Sequence, residues 1–178
     1  MPRFLRKQER VMSEVTIRSY VPDDCRPLIE VFRESVRRTG LRHYSLEQVL
    51  AWAPDEIDSV RFGLRRADRQ TWVAEIGGKA VGFSDLEPDG HIDMLYVHPD
   101  FQHRGLASAL LRVVESAAGE RGLTRLYTES SICARAIFER FGFRVLAAQT
   151  VAIGGQILAN LRMEKLIDPP VLSPASNH

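Results

Sequence analysis

Only two cysteines, Cys25 and Cys133, occur in the 178 residues of the chain. Two thiols build no disulfide framework and no zinc-ligand spacing surrounds either one, so no metal is expected. No apolar run approaches the ~20 residues of a membrane span, so no membrane partner is expected. The first residues are charged and lack an apolar h-region, which argues against a signal peptide and for a cytoplasmic location. Net charge is also nearly absent, at +1. Arg3, Arg6, Lys7 and Arg10 against Glu9 place +3 on residues 1–11, which leaves −2 for the rest. A nucleic-acid binder shows a basic face on its folded body, so nucleic acid is not expected as a partner. The familiar glycine-rich phosphate loops are missing too. No G-x-x-x-x-G-K-[ST] run occurs, and Gly105 stands alone where a dinucleotide fingerprint needs three glycines.

What is there reads as one α+β domain over residues 14–167. Residues 1–13 read as a disordered leader, with Met12 as an alternative start, and residues 168–178 as a disordered, proline-rich tail. The strand "EVTIRSY" leads into a helix capped near Asp23 or Asp24 and closed by Gly40. "SLEQVLAW" opens a second helix with a capping box from Ser45 to Gln48. After a charged linker, "TWVAEI" and "AVGFSDL" are strands joined by the turn Gly77-Gly78. "HIDMLYV" is the next strand. From Arg104 the apolar positions Leu106, Ala109, Leu110, Val113, Val114 and Ala117 trace a helical stripe. "RLYTE" is a strand, Ala134, Ile137, Phe138 and Phe141 mark a short helix, and two strands close the chain.

The turn between "HIDMLYV" and the long helix holds Pro99, Gly105 and the basic pair His103-Arg104. A helix start offers unpaired N–H groups and the positive end of the macrodipole. Gly105 removes a Cβ where a ligand must come close, and Ala107 is nearly as small. Together these residues describe a phosphate cradle, against the plainer reading of a helix start with an incidental glycine.

"QHRGLA" (Gln102 to Ala107) resembles the Q/R-x-x-G-x-G/A signature of the GNAT (GCN5-related) N-acetyltransferases. "LYVHPDF" and "AIFERFGF" resemble that family's cofactor strand and its A-x-x-x-Y-x-x-x-G-F helix. The likeness spans roughly residues 15–166. "RHYSLEQVLAW", "IDMLYV" and "FERFGF" are similar to those of a small bacterial subgroup. The resemblance implies a GNAT fold: a central mixed, mostly antiparallel sheet of six to seven strands, helices on both faces, and a parallel splayed pair at the cofactor site. It implies acetyl-CoA as co-substrate. Gln102, His103, Arg104, Gly105, Leu106, Ala107 and Ser108 would cradle the pyrophosphate, and Leu95, Tyr96 and Val97 would run beside the pantetheine arm. Ser131 and Phe138 fall on the family's asparagine and tyrosine positions, and Phe138 has no hydroxyl to donate. Tyr127, Ser131 or Cys133 would then protonate the leaving thiolate, or it leaves unassisted. No His/Asp pattern supports Cys133 as a nucleophile.

Acetyl transfer requires the amine to lose a proton. Strict alternation in "HIDMLYV" puts His91 and Asp93 on the face of Leu95 and Val97. Asp93 is therefore the expected base, in an apolar setting, with His91 as an outward relay; a structural ion pair and a solvated strand edge are the bland readings of the two. Tyr44 and Trp52 are candidate acceptor-pocket residues, or plain core. The expected activity is acetyl transfer to a primary amine of a small molecule by direct attack in a ternary complex, with a homodimer left open. Modification of a protein amino group and non-catalytic acyl-CoA sensing are the alternatives.

Overall fold

The computed structural model describes residues 15–168; the leader and nearly all of the tail lie outside the described residues. Seven strands form two sheets. β1 (Val15–Ser19), β2 (Gln70–Ile76), β3 (Lys79–Leu86) and β4 (Leu95–Val97) make the first, in that order and antiparallel throughout. β5 (Arg125–Ser131), β7 (Gln156–Leu166) and β6 (Arg144–Ile153) make the second, with β7 central. One parallel bridge, His91 to Tyr127, joins them. The single sheet expected from the sequence is thus two sheets hinged at a parallel contact, and the α+β GNAT architecture holds.

Helices cover both faces. α1 (Cys25–Glu34) runs on into a π-helical turn, Ser35–Thr39. With α2 (Leu46–Trp52) and α3 (Ser59–Ala67) it buries a core around Leu28, Phe32, Val49, Phe62 and Phe83. On the opposite face α4 (Leu106–Glu120) buries Leu106, Leu110, Leu111, Val114 and Ala118, close to the stripe its spacing predicts. α5 (Arg135–Arg140) packs Phe138 and neighbouring Phe143 onto the second sheet. Ser45 caps α2 with the expected box: its Oγ accepts from the Gln48 amide, and the Gln48 side chain accepts from the Ser45 amide.

Two elements depart from the sequence reading. The charged linker contains α3, capped by Asp58, whose Oδ1 accepts from the Arg61 amide. Its buried face is Phe62 and Arg66, while Val60 and Leu64 are exposed. A helix that buries an arginine carries no apolar stripe for periodicity to find. The strand "HIDMLYV" shrinks to Leu95–Val97, because residues 92–94 leave the ladder. Asp85 Oδ1 accepts the amides of both Asp93 and Met94, each at 2.9 Å. Successive amides of a regular strand point in opposite directions, so one oxygen can take both only where the alternation is broken.

Candidate active site

The segment leading into β4 meets β5 at His91 and Tyr127, where Ile92 N donates to Tyr127 O at 2.9 Å and Tyr127 N to Gly90 O at 3.1 Å. Beyond that point β4 pairs only with β3 and β5 only with β7, so the two strands diverge. A cavity of about 980 Å³ fills the divergence. Leu95, Tyr96 and Val97 line it from β4, and Ser131, Cys133 and Ala134 from the end of β5.

The loop before α4 closes one side. Pro99–Phe101 form a short 3-10 turn, and His103 and Gly105 follow with φ of 61° and 78°. Gly105 caps α4 in the left-handed region, which an L side chain enters at a cost of roughly 1–2 kcal/mol. A Cβ built there meets no protein atom within 4 Å. Glycine therefore answers the backbone conformation and keeps open space in front of the helix start. Among the described residues, no protein acceptor takes the amides of His103, Arg104 and Gly105. The Gln102 side chain anchors the loop, donating to Thr39 Oγ1 at 3.1 Å and Val97 O at 3.4 Å.

Of the sequence-predicted cofactor residues, Leu95, Tyr96, Val97, Gln102, His103, Gly105, Leu106, Ala107, Ser108 and Ser131 line this one cavity. Arg104 does not; its guanidinium lies over the Phe101 ring, 5.2 Å from the centroid. Phe138 does not either. It is buried against Phe143 at a ring separation of 5.0 Å, and its neighbours Ile137 and Phe141 line the cavity instead. The short helix turns that position inward to the core, so Phe138 packs there and not on the cavity wall.

Apart from Trp52, the facing wall went unrecognised in the sequence. The π turn presents Ser35, Val36 and Thr39, and the loop after it adds Gly40 and Arg42. A π turn inserts one extra residue, which a 3.6-residue pattern does not reveal. Trp52 completes this wall, its ring edge-on to Tyr44 and Tyr96. Tyr44 itself is a buried strut: its hydroxyl donates to Ala159 O at 2.7 Å and accepts from the Ile132 amide at 3.0 Å. Cys133 donates to Thr39 O at 3.6 Å, and burial pushes its thiol up. Burial likewise raises the Tyr96 hydroxyl well above its ordinary value.

Asp93 and His91 lie off the cavity. Leu95 and Val97 pack toward α4, whereas Asp93 faces α3, because the break at residues 92–94 shifts the phase. Asp93 Oδ2 takes Arg69 at 3.1 Å, Arg66 at 3.3 Å and Arg65 at 3.4 Å. The apolar setting expected for Asp93 is therefore an arginine cluster, completed by fully buried Asp85 on Arg66 at 2.8 Å. His91 stacks on Tyr127 and stands between Glu87 (3.2 Å from Nδ1) and Glu129 (2.6 Å from Nε2) at the closed end of the strands. Tyr127 points away as well, donating to Asp89.

Burial pulls the His91 pKa down, but hydrogen bonding and charge from Glu129, then Glu87, outweigh it and hold the pKa above 6.5. A raised histidine stabilises the fold fully below its unfolded pKa and loses that contribution as pH rises through the folded pKa. His91→Gln is thus expected to lower the melting temperature more at about pH 5.5 than at about pH 9. Equal shifts at both pH values would show that the two glutamates contribute nothing through charge.

Among the described residues no helix is long and apolar enough to cross a membrane, and no group of three or more His, Cys, Asp or Glu is placed to hold a metal.

The profile of the acetyltransferase (GNAT) domain matches residues 40–165. The uncharacterised N-acetyltransferase YafP of Escherichia coli (strain K12) is 39% identical over 153 residues, 85% of this chain and 96% of that protein. A crystal structure of a GCN5-related N-acetyltransferase from Rhodopseudomonas palustris superposes with a TM-score of 0.84 at 36% identity, covering 88% of this chain and 98% of the other. The PaiA N-acetyltransferase of Thermoplasma acidophilum, solved in complex with coenzyme A, shares the fold at a TM-score of 0.71 and 20% identity, over 86% and 99% of the two chains. With its diverging strands, its open helix start and these relatives, the chain belongs to the GNAT family of acetyltransferases.

Proposed function

We propose that this acetyltransferase moves an acetyl group from acetyl-CoA to a primary amine of a small molecule, by direct attack within a ternary complex. One observation carries the reading: a single cavity runs from the open start of α4 to the wall formed by the π turn and Trp52. The amides after Gln102 and the open space at Gly105 fit a pyrophosphate, which a helix start favours. Leu95, Tyr96 and Val97 would flank the pantetheine arm, and Ser108 and Ser131 stand on the same walls. Bound acetyl-CoA supplies a thioester carbonyl for the amine to attack. The residues facing α4 hold the donor, and those of the π turn, with Trp52, orient the acceptor. A cavity walled on two sides suits a small acceptor better than a protein surface.

No carboxylate lines the cavity among the described residues, and His103 sits on the phosphate loop. The amine therefore sheds its proton to water. Cys133 is a poor proton donor, because its raised thiol has no driving force to protonate another thiolate. Ser131 Oγ accepts from the Ala134 amide at 3.2 Å, which leaves its O–H free, but an alcohol is a far weaker acid than a thiol and has no driving force to protonate a thiolate. The thiolate accordingly leaves without a side-chain acid.

Free-thiol release from acetyl-CoA over a panel of amines tests the activity; a folded protein that releases no thiol with any amine would be a sensor, not an enzyme. Asp93→Asn tests the proton path. Its kcat at neutral pH should stay within about threefold of the parent, against the 10²–10⁴-fold loss that removing a general base brings. A loss of that size at unchanged stability, shrinking at high pH, would return the base to Asp93.

A further inference from the structure

The cavity carries charge of one sign. Among the described residues its charged or titratable-basic side chains are Arg42, His103, Arg112 and Arg140, with no Asp or Glu. Three of these stand on the α4 loop, α4 and α5, the side assigned above to the donor and its phosphates. Arg42 stands apart. It follows the π turn, on the wall with Thr39 and Trp52, close enough to Cys133 for its charge to act on the thiol. Other arginines of this region are engaged: Arg37 pairs with Asp55, and Arg38 with Glu34 and Asp100. Arg42 has no carboxylate partner among the described residues, and its backbone is fixed by the Arg42 N to Thr39 O bond at 3.2 Å. A guanidinium does not deprotonate in a protein, so the acceptor side of the cavity is permanently cationic.

From this we infer that the acceptor carries an anionic group beside its amine, and that Arg42 holds that group; this rests on the acetyl-transfer reading above. A diamine would bring further positive charge to a wall that offers no counter-charge. A carboxylate or phosphonate offers two oxygens to the planar guanidinium, a two-point match that also aims the neighbouring amine along the cavity. Arg42 is then a determinant of specificity, separate from the residues that hold the donor.

The test uses the full chain and free-thiol release with matched acceptors: α-amino acids, their amides, the corresponding decarboxylated amines, and aminoalkylphosphonates. The parent should prefer anionic acceptors by about tenfold or more in kcat/KM, roughly what one charge-assisted pair supplies. A carboxylate best among them names an amino acid, and a phosphonate best names a phosphate-bearing amine; either supports the inference. Arg42→Ala should raise KM for the anionic acceptor by about tenfold while leaving KM for acetyl-CoA in place, and Arg42→Lys should recover part of it. Arg42→Glu should turn the preference toward cationic amines. If the parent turns over neutral or cationic amines as well as anionic ones, or if Arg42→Ala leaves the preference intact, the inference fails and acetyl transfer stands. If no amine releases thiol, both readings fail together.

Discussion

Asp85→Ala is expected to destabilise the fold by about 3–5 kcal/mol, the loss typical of removing one member of a buried ion pair. Asp85 and Arg66 are fully buried, and the pair is 2.8 Å apart. Truncation leaves the Arg66 guanidinium in the core with only the more distant Asp93 at 3.3 Å, while its Nε already lacks a partner. It also strips the shared acceptor from the amides of Asp93 and Met94. Those two bonds hold the break that ends β4 at Leu95, so the damage extends to the strand that lines the cavity. At about 2–4 °C per kcal/mol for a chain of this size, the midpoint should fall by roughly 6–20 °C. Asp85→Asn keeps one oxygen for the two amides but loses the charge facing Arg66, and should fall between the variant and the parent. A thermal midpoint unchanged by Asp85→Ala would mean that Asp93 alone can compensate Arg66.

Gly105→Glu is expected to weaken coenzyme A binding by well over tenfold, more than about 1.4 kcal/mol. The position has a φ of 78°, so any side chain there brings strain of roughly 1–2 kcal/mol. That strain acts on stability and is shared by Gly105→Ala. The new carboxylate acts on binding alone. It projects into the space where no protein atom lies within 4 Å, in front of amides suited to an anion, and it repels phosphate. Calorimetry on both variants separates the two effects. Gly105→Ala should lose stability and keep most of its affinity, whereas Gly105→Glu should lose both. An unchanged Kd in folded Gly105→Glu would remove the phosphate cradle from this helix start.

Local physics is legible in the residues themselves. The α4 stripe, the Ser45 capping box and the positive-φ glycine at the helix start all follow from interactions within a few positions. "QHRGLA" therefore located the cradle, and ten of the twelve residues expected beside the donor line one cavity. What the tertiary structure decided lies where a distant group overrides the local pattern. Asp85, eight residues before Asp93, takes two successive amides and breaks the alternation that had aimed Asp93 at the cleft. Arg66 makes α3 a helix with a charged buried face, so the linker composition of residues 54–69 concealed it. Phe138 turns to the core because Phe143 offers it a partner there. The wall proposed for the acceptor comes from a π turn and an exposed arginine, and neither leaves a periodic signal. Periodicity reports which face of an element is apolar; it does not report a side chain or a backbone amide whose partner is far away in sequence.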